Sequence, residues 1–439
     1  MASPIYRNGK EIAAQAFLQT LAEIDIRHTM LRKVHRKGET LEAGSEAVDL
    51  TRAPRVVALG KAANRMAASL VEILDGRVER GVVVSPSLPP KPLPNFHYFQ
   101  GGHPYPTAGS LEGAEAALRL ISGLSEEDLV IFLISGGGSA LFEKPLDPTV
   151  TLPDLVDLHR ALVTGGLPIE AMNVIRKHLS AVKGGRLALA AYPARQLTIF
   201  VSDVPEGWAA VVASGPTMPD PASLDDCYAI ARRYQLIERF PASIRRSFES
   251  RTLEPAPHPG DPRFHNAKYF CLLSSQDAVA AARAVLERFG FRLQPAPSPW
   301  DGDFRQIADR QMEALEALAQ AHPGEPVALV AGGEVTCPVT GSGTGGRNQA
   351  YVLYAATRIA GRKRVVLSAG TDGRDGNSPS AGAVGDGQTL FRARALGLDP
   401  DRYLAESDSY YFFRTLGDTM DVGFTDNNVR DLRLWLGFP

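Results

Sequence analysis

Six short stretches of this 439-residue chain combine glycine with charged or hydroxyl side chains. Gly60-Lys61 follows the apolar run Val56-Val57-Ala58-Leu59 and opens a helical pattern. A strand-to-helix turn leaves backbone N–H groups at the positive end of the helix dipole, and the lysine adds a full charge, so the pair suits an anion. A solvated lysine reads almost as well, and the GxxxxGK signature of a P-loop is absent. In Ser135-Gly136-Gly137-Gly138-Ser139-Ala140, three consecutive glycines cost chain entropy. Close approach of the backbone to a phosphate or carboxylate explains them better than a tight turn, for which one glycine suffices. Asn173-Val174-Ile175-Arg176-Lys177-His178 with Lys183-Gly184-Gly185-Arg186 brings four cations into eleven residues of an otherwise balanced chain. That is either a solvated basic face or a lining for a polyanion, with arginine gripping two oxygens and lysine acting as a point charge. Ser202-Asp203-Val204, with Ser214-Gly215-Pro216-Thr217 soon after, ends a buried strand, where a carboxylate serves as a general base, holds Mg²⁺, or merely caps a turn.

The two remaining stretches lie later. Gly332-Gly333-Glu334-Val335-Thr336 precedes the glycine-dense run Gly341-Ser342-Gly343-Thr344-Gly345-Gly346-Arg347-Asn348-Gln349. Such a loop leading into a helix predicts a phosphate cradle, with Arg347 adding charge at the helix start. Gly370-Thr371-Asp372-Gly373-Arg374-Asp375-Gly376 offers two aspartates for metal or hydroxyl contacts, although a surface turn explains Asp-Gly steps nearly as well.

What positions these residues is an alternation of strands and helices. Apolar runs at 56–59, 129–134, 197–201, 327–330 and 365–367 each end in glycine, serine or aspartate. Unbroken runs of this length predict parallel strands buried on both faces, and ligands then gather at their carboxyl ends. Helical periodicity covers 61–74, 110–121, 276–289, 304–321 and 349–359. The fold class is therefore α/β. The length exceeds what one core organises, so two domains are expected, 1–253 and 264–439. The proline-dense segment 254–263 has neither period and predicts the linker; 85–94 predicts a surface excursion.

Composition excludes several classes. With 47 basic and 49 acidic residues, net charge −2, nothing calls for a nucleic-acid or membrane-surface partner. No apolar run approaches the ~20 residues of a membrane span. The first ten residues carry Arg7 and Lys10 without an apolar core, unlike a signal peptide. Cys227, Cys271 and Cys337 form no CxxC pair and predict small buried side chains in a reducing, cytoplasmic setting. Sequence leaves the oligomeric state open.

Taken in order, the stretches resemble the class II glycerate 2-kinases, whose second half is called the MOFRL domain. The resemblance runs from about Val56 to Val429. It rests on Gly60-Lys61-Ala62-Ala63, Gly102-His103-Pro104, Ser135 to Leu141, Asn173 to Ser180, Lys183-Gly184-Gly185-Arg186-Leu187, Ser202-Asp203-Val204, Ala213 to Thr217, Gly333-Glu334-Val335-Thr336, Gly345-Gly346-Arg347-Asn348-Gln349 and Ala369 to Gly376. It implies a Rossmann-like first domain, a smaller α/β second domain and an ATP- and Mg²⁺-dependent transfer to glycerate in a cleft between them. Lys61, Arg347 and Asp203 would be catalytic, with Asp203 also the metal ligand. Gly136, Gly137, Gly138, Ser139, Lys183, Gly184, Gly185, Gly333, Glu334, Thr336, Gly345, Gly346 and Asn348 would bind nucleotide phosphates. His103, Asn173, Arg176 and Asp372 would bind the small-molecule substrate. The chain departs from the family pattern at Pro205-Glu206-Gly207-Trp208, at Gly423 to Val429 and, slightly, at Gly165-Gly166-Leu167-Pro168. Two competing readings remain. A nicotinamide-dependent hydroxypyruvate reductase would use the G-x-G-x-x-G of 341–346, but no ribose-binding acid follows at the required distance. A metabolite sensor would use the same residues without turnover.

Overall fold

A computed structural model describes residues 8–293 and 300–439, so most of the first ten residues lie outside the described residues. Two compact units result. Ile26–Leu272 form one, and the segment ending at Asp25 joins Leu273–Pro439 in the other.

The first unit is built on six strands: β1 (Arg55–Leu59), β2 (Arg80–Ser85), β3 (Phe96–Gln100), β4 (Leu129–Ile134), β5 (Arg195–Val201) and β6 (Ala267–Leu273). Their order is 3-2-1-4-5-6, and the pairs β2–β3, β1–β2, β1–β4 and β4–β5 are parallel. Every residue of β4 is buried, as expected of a strand covered on both faces. One face carries the helix Ala108–Ile121, whose Ala114, Ala117 and Ile121 meet Val57, Val82 and Val84. Thr107 and Ser110 close a capping box at its start. The helices Leu152–Val163, Ile169–Leu179, Leu224–Arg233 and Ala242–Glu249 add a layer with its own core, in which Leu155, Leu158 and Ile175 pack on Cys227, Phe240 and Ile244. Three short antiparallel strands at Val34–Lys37, Thr40–Ala43 and Glu46–Asp49 left no signal in the sequence reading.

The second unit holds β7 (Arg292–Leu293), β8 (Val327–Gly333), β9 (Arg364–Gly370), β10 (Gly382–Asp386) and β11 (Asp431–Gly437), in the order 7-8-11-9-10. Here the parallel expectation fails. β11 enters the centre antiparallel to both β8 and β9, and β9 pairs antiparallel with β10. Alternate residues of β8 face opposite layers: Val327, Leu329 and Ala331 pack beneath the helices Phe304–Ala321 and Arg347–Arg358, whereas Ala328 and Val330 meet the helices Gly9–Glu23 and Ser275–Arg288.

The segment 254–263 is no linker. Glu254 and Pro255 carbonyls accept from Arg186, and Pro257 accepts from Asp220 N, so it is fastened within the first unit. The division instead follows Asp25 and Leu272, and the helix Gly9–Glu23 belongs with the carboxyl-terminal half. Proline density reports an extended backbone, not where the packing changes. Of the cysteines only Cys227 is buried, its thiol pushed up to about 12 by that burial; Cys271 is exposed. Among the described residues, no helix is long and apolar enough to cross a membrane.

Candidate active site

In the first unit the strand order reverses between β1 and β4. Their crossovers leave in opposite directions, which opens a crevice at their carboxyl ends. The loop after β1 is Gly60-Lys61 and the loop after β4 is Ser135 to Gly138, and the two are zipped together. Ser135 N donates to Leu59 O (3.0 Å), Lys61 N to Gly136 O (2.9 Å) and Ala62 N to Ser135 Oγ (2.9 Å). Gly60 sits at φ +110°, and a Cβ there would strike the Ser135 backbone, so only glycine allows this approach.

The glycine run draws in residues from distant parts of the sequence. A Cβ on Gly136 would collide with the Asp203 carboxylate. One on Gly137, at φ +85°, would stand 3.2 Å from Lys61 Cγ and 3.4 Å from His103 Cδ2. Lys61, His103 and Asp203 therefore surround the loop. Among the described residues, nothing accepts a hydrogen bond from the Gly136 or Gly137 amide. Ser139 Oγ lies 2.8 Å from Ser214 Oγ, which donates to Asn173 Oδ1 at 2.8 Å. Ser214 itself, at φ +63°, was not singled out as a site residue; its role depends on partners 41 and 75 positions away.

Three expected phosphate ligands nearby take other work. Lys183 is fully buried, its ammonium held by Glu143 and the Phe142 carbonyl. Gly184 N and Gly185 N donate to the carbonyls of Ser214 and Gly215. Sequence shows charge and glycine there but not burial, and the burial turns them into a brace. Burial is the largest influence and alone would raise the Glu143 carboxyl, but Lys183 and His159 together outweigh it and hold the group down at about 2. Glu143 follows the glycine loop by five residues and gave no signal.

The second unit gathers its own cluster at the start of β11. Asp431 pairs in register with Gly333 on one side and Gly370 on the other. Arg347 Nε and Nη2 grip Asp431 at 2.6 and 3.0 Å, and Nη2 also reaches Glu334 Oε1 at 2.9 Å. Burial disfavours the arginine's charge, yet the two carboxylates more than restore it and raise its pKa. The expected motifs thus converge on Asp431, a residue the sequence reading missed because it opens a strand far from all of them. Thr336 is exposed on a two-residue strand paired with Gly302–Asp303. Asp372 Oδ1 accepts from Arg374 N at 3.0 Å, closing its own turn.

The predicted cradle at 341–349 is filled by the protein itself. Gly343 N donates to Glu406 O, Thr344 N to Asp408 Oδ1 and Gly345 N to Asn377 Oδ1. At the helix start, Asn348 N and Gln349 N both donate to the Asp375 carboxylate, at 3.0 and 2.8 Å. The anion at this helix N-terminus is Asp375, and it displaces the phosphate role expected of Gly345, Gly346 and Asn348. Burial raises the Asp375 carboxyl to about 6, against the pull of those two amides.

Comparison with known proteins fits this arrangement. A profile described as a domain of unknown function (DUF4147) matches residues 12–249, and one described as the MOFRL family matches 327–431. A D-glycerate 2-kinase of Thermotoga maritima is 36% identical over 87% of this chain and 90% of its own length. The chain belongs to the MOFRL-type glycerate kinase family. The crystal structure of a glycerate kinase from Thermotoga maritima superposes with a TM-score of 0.83 at 32% identity, covering 98% of this chain and 99% of that one. Within the same range of similarity, an Agrobacterium vitis protein named provisionally as a hydroxypyruvate reductase is 36% identical over 86% of either chain. The family's matched regions include both clusters, the glycine loop with Lys61 and Asp203 and the Arg347–Asp431 pair.

Proposed function

We propose that this chain transfers the γ-phosphoryl group of ATP to the 2-hydroxyl of glycerate, giving 2-phosphoglycerate. One observation carries the reading: Lys61, His103 and Asp203 meet around the Gly136–Gly138 loop where the strand order reverses. In the transfer the hydroxyl oxygen bonds to the γ-phosphorus, the bond to the β–γ bridging oxygen breaks, and the hydroxyl proton leaves. Phosphoryl transfer needs positioning and charge neutralisation more than covalent work. The Gly136 and Gly137 amides and the Lys61 ammonium supply donors and charge for the transferring group. Asp203 takes the proton or holds Mg²⁺. Among the described residues, no group of three or more His, Cys, Asp or Glu side chains forms a metal cage. One carboxylate beside glycine amides instead suits an ion that arrives with nucleotide phosphates, as Mg²⁺ commonly does. Bound there, the ion would neutralise phosphate charge. Arg347, held by Asp431 and Glu334, keeps in this reading the role of supplying charge for a phosphoryl or carboxylate group. A cytoplasmic setting suits a nucleotide-dependent enzyme of balanced charge.

The reductase reading has the strand order and the Agrobacterium vitis relative in its favour. Against it, the G-x-G-x-x-G of 341–346 spends its amides on 377 and 406–408, and no such fingerprint follows β1. The deciding experiment supplies D-glycerate and Mg-ATP and resolves the product by phosphorus NMR, with NADH and hydroxypyruvate assayed in parallel. A 2-phosphoglycerate signal, lost on chelation of Mg²⁺, is expected. NADH oxidation at a comparable rate without phosphorylation sinks the kinase reading.

A further inference from the structure

We infer that Arg176 is the residue that binds the carboxylate of the hydroxy-acid substrate, an inference that rests on the kinase reading above. Arg176 lies in the last turn of the helix Ile169–Leu179 and is only 8% exposed. Its Nε is sealed from solvent and bonded to nothing, and neither Nη nitrogen donates to a described residue. The Nη nitrogens are not among the sealed atoms, so the stem is packed while the tip of the fork opens outward. Glu143 acts on this guanidinium only through space, because its own oxygens are taken. Ser180 Oγ donates to it at 2.5 Å and Lys144 N at 2.9 Å, and Lys183 holds the other oxygen. His159 stands 3.9 Å away, buried, with neither ring nitrogen hydrogen-bonded, and burial keeps it neutral. Counting Arg176, Lys183 and Glu143, one positive charge is left over.

A buried cation without a hydrogen-bonding partner is strongly destabilising, so a structure that keeps one uses it for an anion that comes and goes. A guanidinium fork fits a carboxylate with two parallel hydrogen bonds. The location suits the substrate better than the nucleotide. Asn173 lies one turn earlier on the same helix face, and its Oδ1 is tied through Ser214 to Ser139 of the glycine loop. Asn173 Nδ2 donates to no described residue, which leaves a second donor beside the arginine for a neighbouring oxygen of a small hydroxy acid.

The test uses the full chain with Mg-ATP and two acceptors, D-glycerate and D-glyceraldehyde, which share the 2-hydroxyl but differ in the carboxylate. Arg176→Gln is expected to raise the glycerate KM at least 30-fold with the ATP KM within twofold. The preference for glycerate over glyceraldehyde in kcat/KM should fall by a similar factor. Arg176→Lys keeps the charge, loses the fork and should fall between; it carries the test should the glutamine variant not fold. An unchanged glycerate preference in the folded variants overturns the inference. So does a rise in ATP KM with glycerate KM intact, which would move Arg176 to the nucleotide. If wild type phosphorylates neither acceptor, the kinase reading fails separately; calorimetric titration of wild type and Arg176→Lys with glycerate then decides the carboxylate site. Equal affinity in the two proteins would overturn it.

Discussion

Lys61 and Arg347 are both cations beside glycine-rich turns, yet removing them should have different costs. Lys61 stands half-buried beside the glycine loop. Lys61→Ala should lower kcat about 10²–10³-fold while thermal melting stays within about 0.5 kcal/mol of wild type. Retention of a tenth of wild-type kcat/KM would make it a bystander. Arg347 holds Asp431, which is 2% exposed. Arg347→Ala strands that carboxylate and should cost about 1–3 kcal/mol of stability besides any activity; a wild-type melting curve would contradict the pairing. Asp375 gives a pH signature. Its folded pKa of about 6 lies above the ordinary 3.8. Its contribution is therefore greatest below the unfolded pKa and is lost as pH rises through about 6. Chemical denaturation should show a loss on the order of 1–3 kcal/mol across that window, absent in Asp375→Asn. Lys61, Gly136 to Ser139 and Asp203 stand out in the sequence through glycine runs and strand ends, Asn173 through the basic stretch it opens, and His103 only through the family resemblance. Asp431, Ser214 and Glu143 were not, because their importance comes from contacts across tens to a hundred residues. Lys183 was misread because a sequence shows a charge but not the carboxylate that neutralises it.

Two turns rich in glycine serve opposite ends. After β4 the glycines leave amides open and let Asp203 approach; before the helix Arg347–Arg358 they let the chain pack on itself. Substituting one in each separates the roles. Gly136→Ala pushes a methyl into the Asp203 carboxylate, so activity should fall more than tenfold with only modest destabilisation. Gly346→Ala meets the Asp375 backbone and carboxylate. It should cost about 1–3 kcal/mol by overpacking, with little change in ATP KM in whatever protein remains folded. A large ATP KM effect from Gly346→Ala would restore the phosphate cradle that the sequence predicted. Helical periodicity placed Phe304–Ala321 to the residue and the other four within two residues at either end. Apolar runs marked β1, β4, β5, β8 and β9, but β2 was passed over although Gly81 to Ser85 are all buried. β11 escaped because Asp431 and Arg433 interrupt it; both are buried, and the Arg433 Nη nitrogens donate to the carbonyls of Trp300, Gly332 and Gly333.

At the scale of the molecule, the first unit is one continuous stretch and the second is made from two. The helix Gly9–Glu23 buries Ala13, Ala16 and Phe17 against Val365, Leu367, Leu436 and Phe438. Phe17→Ala should destabilise the second unit by about 3–5 kcal/mol and leave hydrogen exchange in β1 and β4 unchanged. Equal loss in both units would mean that they unfold together. Two-domain organisation was legible from length, but this helix and the sheet it covers were not, since its buried face is mostly small residues. The arrangement sets a timetable for biosynthesis. All 247 residues of Ile26–Leu272 are made between the helix and the rest of its unit. At ~5–20 residues per second the last strand follows the helix by roughly 20–80 s. The first unit can finish folding on the ribosome within that interval, while Ala13, Ala16 and Phe17 wait uncovered. Completion of the second unit is thereby deferred until β11 has been made, and the waiting helix is the place where a nascent-chain chaperone would have something to hold.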